Sequence, residues 1–237
     1  GLIDQVRIFS TALTQSQVTT LARGIGTSYS GTNTDVNFNG HLNFQPDLVW
    51  IKNRSSSGNN NALQDSVRGV QRELRSDTSG VENNYTSTDY SLKSYDDIGF
   101  TVGDTNAGIY NVNGAVGGTY SGNAEFVAWN WKAGGAAVTN NDGTIPSQVS
   151  ANKDSGFSIV TNTSPAGSYT WGHGLDKTPE LWTHKSTDYA YGWETLYPDT
   201  FGTNNTGLIP ADWNYLRLDT TAAASSSGYS ANNTVLS

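Results

Sequence analysis

The chain has 237 residues, enough to bury a real core in one or two domains. Its 13 Lys and Arg against 21 Asp and Glu give a formal charge of −8, which repels a nucleic-acid backbone, and no apolar run approaches the roughly 20 residues of a membrane helix. There is no Cys, so disulfides, thiolate metal sites and Cys nucleophiles are excluded together.

Only 35% of the residues are hydrophobic and 14% charged, and the remainder is mostly Gly, Ser, Thr and Asn, a mixture rich in turn formers. Seven Trp, twelve Tyr and seven Phe supply the bulk that a short-stranded β protein needs and argue against disorder. Met is absent even at position 1, and the chain reads as a segment of a longer polypeptide.

In chain order, Leu2, Val6 and Ile8 predict a strand ending near Phe9. Thr14 with Gln17 forms a capping pattern, and Val18 and Leu21 share one face of a helix of about two turns that Gly24 stops. Residues 24–39 predict one weak strand. The organising segment follows: Gln45-Pro46-Asp47-Leu48-Val49-Trp50-Ile51-Lys52 returns as Thr178-Pro179-Glu180-Leu181-Trp182-Thr183-His184-Lys185, 133 residues later. Pro interrupts what precedes it, and the apolar run predicts a strand with both faces covered. Gly40-His41-Leu42 leads into the first copy and Gly172-His173-Gly174-Leu175 into the second.

Residues 62–69 predict a hairpin partner of that strand, and 70–74 a short strand. Ser76–Thr88 and Asp104–Gly122 read as long polar excursions, with a strand at 95–103 between them. Residues 124–132 carry the strongest strand pattern, with Val127, Trp129 and Trp131 expected inward. A turn at Asn140–Gly143 and a linker ending near Asp154 precede the second unit, with strands at 157–161, 193–197 and 215–218. The chain stops at Ser237 where the first unit would still have its 126–132 strand to come, so the second unit is expected to be incomplete. The predicted fold is all-β: tandem antiparallel β-sandwich, jelly-roll-like units with one short N-terminal helix. Its divisions are 1–23, 24–152 and 153–237.

Two resemblances refine this. "IDQVRIFSTALTQSQVTTL" is similar to the last strand and closing helix of a laminin-G-like, concanavalin A-type lectin domain, of which the rest is not in the chain. "GHLNFQPDLVWIKNRSS", "DSVRG", "IGFTVG" and "FVAWNWKAGG", in that order, resemble a domain found in tandem in structural proteins of marine and cyanobacterial tailed phages. The resemblance implies a tail-fibre component on the virion surface, a homo-oligomer and commonly a trimer, contacting other virion proteins and a host-surface glycan. A head-decoration or head-fibre protein is the alternative, and a polysaccharide-degrading tailspike enzyme the less favoured one.

No catalytic centre is legible. His41, His173 and His184 are too scattered for a metal site. His41 and His173 read as turn-fixing imidazoles, and His184, Ser186 and Asp188 make a weak nucleophile pattern. Asp96-Asp97 reads as a solvated turn, because adjacent strand carboxylates face opposite ways, with surface calcium as the residual reading. No other cofactor is expected. Tyr189, Tyr191 and Trp193 alternate along a strand-like segment and offer an aromatic platform for a sugar ring, with cross-strand packing as the structural alternative.

Overall fold

A computed structural model describes residues 26–30, 35–39, 42–55, 57–86, 91–103, 111–113, 124–198, 213–227, 231 and 233–236. The predicted N-terminal strand and helix, His41 and most of the 104–122 excursion lie outside these residues. The chain is all-β and its sheets are antiparallel.

The first unit contains β1 (Gly26–Ser30), β2 (Val36–Asn37), β3 (Leu48–Asn53), β4 (Ala62–Asp65), β5 (Arg72–Arg75), β6 (Asn83–Asn84), β7 (Leu92–Asp96), β8 (Gly99–Val102) and β9 (Glu125–Trp131). One sheet has the order β1-β9-β3-β4-β5-β6, and β2-β8-β7 forms a second. Between them lies a core of Val49, Ile51, Ala62, Phe126 and Ala128 from the larger sheet and Leu92, Phe100 and Val102 from the smaller, joined by Phe38. Phe38 stacks on Phe100 with ring centroids 4.5 Å apart and donates its N–H to the Phe100 carbonyl at 2.8 Å. The two-residue Asp97-Ile98 turn joins β7 to β8, and Gly99 follows because a Cβ there would lie 2.3 Å from the Phe38 carbonyl oxygen. Residues 24–39 thus hold two short strands in different sheets instead of one.

The parity of β9 is opposite to the sequence expectation. Phe126, Ala128 and Asn130 are buried, while Trp129 is exposed and Val127 and Trp131 are half-buried. The register explains why: Val49 pairs with Asn130, Ile51 with Ala128 and Asn53 with Phe126, so the β3 side chains already committed to the core fix those of β9. The indoles occupy the outer face, where Trp50 meets Trp129 at 6.0 Å and Trp131 at 6.5 Å, and Phe157 of the next hairpin lies 6.4 Å from Trp131. β3 is accordingly buried on one face and only half covered on the other, not covered on both.

The expected linker before Gly156 is a strand. β10 (Val138–Asn140), β11 (Ser147–Asn152) and β12 (Phe157–Asn162) form a three-stranded sheet. In β11, Ser147, Val149 and Ser150 are buried and Gln148 is exposed, an inward side hidden by its polar composition. Gly156, at φ 69°, closes the β11–β12 turn.

The remaining strands are β13 (Trp171–Gly172), β14 (Trp182–His184), β15 (Glu194–Pro198), β16 (Trp213–Leu216), β17 (Ser225–Ser227) and β18 (Val235–Leu236). The sheet β14-β15-β16-β17 repeats the antiparallel order β3-β4-β5-β6, and β13 pairs with β18 as β2 pairs with β8. Trp171, Trp182, Leu196, Ala231 and Leu236 make its core. Val49 and Trp182 are equivalent and both point inward, so the one-residue displacement of the aromatic moves it from the outer face at Trp50 into the core.

Residues 76–86 do not form a free excursion. Asn83–Asn84 pair with β5, and Glu82 accepts from Arg68 at 2.8 Å and Arg72 at 2.9 Å. The Glu82 N–H also donates to the Thr187 carbonyl at 2.9 Å, joining the first unit to the second.

Candidate functional site

The segment that leaves β14 is held from within. Lys185 Nζ donates to the carbonyls of Ser186 at 2.7 Å and Tyr189 at 3.1 Å, and the Tyr189 N–H donates to Ser186 Oγ at 3.1 Å. Its repeat equivalent Lys52 does the same work, donating to the Asn59 carbonyl at 2.5 Å. Gly192 lies against the ends of the Arg217 and Asp219 side chains, where a Cβ would lie 2.7 Å from Arg217 Nη1 and 3.2 Å from Asp219 Oδ1. The Trp193 N–H then donates to Asp219 Oδ1 at 3.1 Å.

This scaffold presents two rings to solvent. Tyr189 is 65% and Tyr191 68% exposed, and their rings stack with centroids 5.9 Å apart. The segment is a loop, so the predicted strand-like alternation is absent, and the third platform residue goes elsewhere. Trp193 is 4% exposed and its Nε1–H donates to the Arg75 carbonyl of β5 at 2.7 Å. The exposed aromatics are therefore a pair, and Trp193 fastens one unit to the other.

A charged cluster joins β14, β15 and the residue after β16. His184 Nε2 is 3.3 Å and Arg217 Nη2 3.6 Å from the two carboxylate oxygens of Glu194. Burial pushes the His184 imidazole below its ordinary value of 6.5, while the Glu194 carboxylate pulls it up; burial prevails. Burial likewise lowers the Lys185 ammonium, with Asp219 opposing. The unfolded imidazole takes up its proton near pH 6.5 and the folded one only at lower pH, so the unfolded state binds more protons as pH falls through that window. Stability is expected to decline below pH 6.5 and to be flat above about pH 7.5, a slope that His184→Gln reduces when urea midpoints are compared across that range.

The remaining sequence candidates have structural roles. His173 is buried, its Nδ1 accepts the Leu175 N–H at 3.1 Å and its own N–H donates to the Thr234 carbonyl, so it fixes the turn as expected. His184, Ser186 and Asp188 are not assembled: His184 faces Glu194, and Ser186 Oγ accepts from Tyr189. Asp96 Oδ2 accepts from Thr101 Oγ1 at 2.9 Å and Asp97 sits in the exposed turn. Among the described residues no group of three or more metal-ligating side chains occurs.

Sequence reading missed the buried polar groups of the first unit. Glu73 is fully buried and accepts from Arg75 Nε at 3.0 Å, Asn111 Nδ2 at 2.9 Å, Tyr85 Oη at 3.2 Å and Ser91 Oγ at 3.3 Å. Burial and the Glu73 carboxylate push the Tyr85 phenol up to about 12, against the pull of Arg75. A carboxylate so fully engaged orders strands and offers no acid or base to a substrate. A hollow of about 500 Å³ between β10, β11 and Gly174–Asp176 was also missed, being built from small and polar residues. The carboxylates at its rim are engaged as well: Asp176 pairs with Lys153 at 2.6 Å, and Asp142 accepts from Asn140 Nδ2 at 2.9 Å.

No curated protein and no solved structure matches the chain. A family model described as Domain of unknown function (DUF7483) matches residues 25–237, spanning both copies of the Pro–acid–Leu strand, the buried Glu73 group and the tyrosine pair. The chain belongs to this family of unknown function.

Proposed function

We propose that this chain is a structural component of a phage virion, a tail-fibre segment on the particle surface, that assembles as a homo-oligomer and contributes to recognition of a host-surface glycan without catalysis of its own. The observation that carries the recognition role is the stacked, solvent-facing Tyr189–Tyr191 pair on a loop pinned by Lys185 and Ser186. Flat phenol faces held in place accept the apolar face of a sugar at little entropic cost, and their hydroxyls supply the polar handle. The four-phrase resemblance to phage structural domains supports the virion setting.

Tyr189→Ala combined with Tyr191→Ala is expected to weaken binding to host-cell polysaccharide about tenfold or more. The urea-unfolding free energy should stay within about 0.5 kcal/mol of the parent, as befits exposed side chains. Unchanged binding would refute the platform. Immunogold labelling of intact particles tests the setting: label on the tail agrees with the proposal, whereas label on the head favours a decoration protein. Release of oligosaccharides from host polysaccharide by the purified chain would overturn the non-catalytic reading.

A further inference from the structure

The β14–β15 loop that carries Tyr189 and Tyr191 leaves the sheet at the end where His184 pairs with Glu194, and β16 runs past that same end into Arg217 and Asp219. Both side chains reach the loop. Measured from the point where a Cβ of Gly192 would lie, Arg217 Nη1 is 2.7 Å away and both carboxylate oxygens of Asp219 are 3.2 Å away. Gly192 directly follows Tyr191, so a donor and an acceptor stand beside the backbone of the aromatic pair, at a residue with no side chain to cover them.

Each keeps hydrogen-bonding capacity unspent. Asp219 Oδ1 accepts the Trp193 N–H at 3.1 Å, and Oδ2 has no hydrogen-bond partner among the described residues. The Arg217 guanidinium is 37% exposed and lies 5.7 Å from the Tyr215 ring centroid. Its nearest carboxylate oxygen, Glu194 Oε1, is 3.6 Å away, too far for a hydrogen bond, and among the described residues it makes none. Arg217 and Asp219 form no ion pair with each other. Lys185, whose ammonium stands in the field of Asp219, is committed to the carbonyls of Ser186 and Tyr189.

We propose that Arg217 and Asp219 are the polar half of the tyrosine site, and that the site takes a neutral pyranose with two neighbouring hydroxyls. One hydroxyl accepts from the guanidinium and the other donates to Asp219 Oδ2. This rests on the glycan reading and narrows it to uncharged sugars. A guanidinium only donates and a carboxylate only accepts, whereas a hydroxyl does either, so a pair of hydroxyls completes both. An acidic sugar fits worse on two counts: Glu194 already offsets the charge of Arg217, and Asp219 would face the sugar's own carboxylate in a chain of net charge −8.

The test is surface plasmon resonance of the whole chain against dextran, mannan and a neutral galactan, beside alginate and polygalacturonate. At least one neutral polymer is expected to bind, with an affinity unchanged from about 0.05 to 0.5 M salt, and neither polyuronate. Arg217→Gln and Asp219→Asn should each weaken binding per folded molecule about tenfold, the loss of one charge-assisted hydrogen bond. The Asn oxygen still accepts the Trp193 N–H, so that variant keeps the structural contact. In the parent, the bound polymer should add hydrogen-exchange protection at residues 217–219 as well as 189–193, a readout that needs no variant. Binding confined to polyuronates, either variant matching the parent, or protection confined to 189–193 overturns the inference and leaves the tyrosine platform standing. If nothing on the panel binds, or if Tyr189→Ala with Tyr191→Ala leaves binding unchanged, the platform itself fails and takes the inference with it.

Discussion

Replacing Asp47 by Ala is expected to destabilise the first unit by about 3–5 kcal/mol, the range for removing one partner from a buried, hydrogen-bonded charge. The side chain is fully buried and ties three segments together: Ser66 Oγ donates to Oδ1 at 3.0 Å, the Ala133 N–H to Oδ2 at 2.8 Å, and Lys132 stands at 3.7 Å. The Lys132 contact adds little, because that side chain is 40% exposed and its charge is screened. The loss comes from two donors left without an acceptor, each costing about 1–3 kcal/mol, at the point where β9 is closed onto β3. Asp47→Asn separates the contributions: one amide oxygen still accepts while the new NH2 faces a donor, so its loss should be intermediate. Urea unfolding followed by Trp fluorescence, which reports on Trp50, Trp129 and Trp131, is the measurement. Equal unfolding midpoints for parent and Asp47→Ala would remove Asp47 from the account.

How much of this was legible in the sequence depended on which signal each segment carried. β3 and β14 are legible because Pro46 and Pro179 fix their start, and β9 because large apolar residues fill it. Their parity was not, because Trp129 and Trp131 look like core residues by size, whereas the partner strand decides: Ile51 opposite Ala128 leaves the indoles only the outer face. β11 resembles a linker in sequence because Ser147, Ser150 and Asn152 carry turn chemistry, yet the Ser150 hydroxyl is spent bridging Gly135 at 2.7 Å and Gly134 at 3.0 Å. Glu73 could not be recognised as an interior group, since nothing local marks a carboxylate whose donors come from residues 75, 85, 91 and 111. At the candidate site the aromatic spacing picked out Tyr189 and Tyr191 correctly as neighbours. It misplaced Trp193 because the Arg75 carbonyl that captures it is 118 residues away.

That capture sets the second large expectation. Trp193→Ala should cost about 3–5 kcal/mol, the usual loss for a buried Trp, and lower the calorimetric midpoint by roughly 6–20 °C at 2–4 °C per kcal/mol. The indole is 4% exposed and donates to a carbonyl of β5 at 2.7 Å, so removal leaves a cavity and an orphaned acceptor at the junction between the units. Among the described residues, what would still join them is the Phe157 to Trp131 ring contact and hydrogen bonds alone, the Glu82 to Thr187 backbone bond and those of Ser150, Asn152 and Ser155 to residues 132–135. A single cooperative transition in the parent should therefore split into two in the variant. Trp193→Phe keeps most of the volume and loses the donor, so it should cost only about 1 kcal/mol and leave the transition single. Glycan binding per folded molecule should be unchanged in both, because the exposed faces of Tyr189 and Tyr191 do not depend on the indole. If Trp193→Ala instead abolished glycan binding and left the melting profile intact, the indole would belong to the platform and the junction would have to be held by other residues.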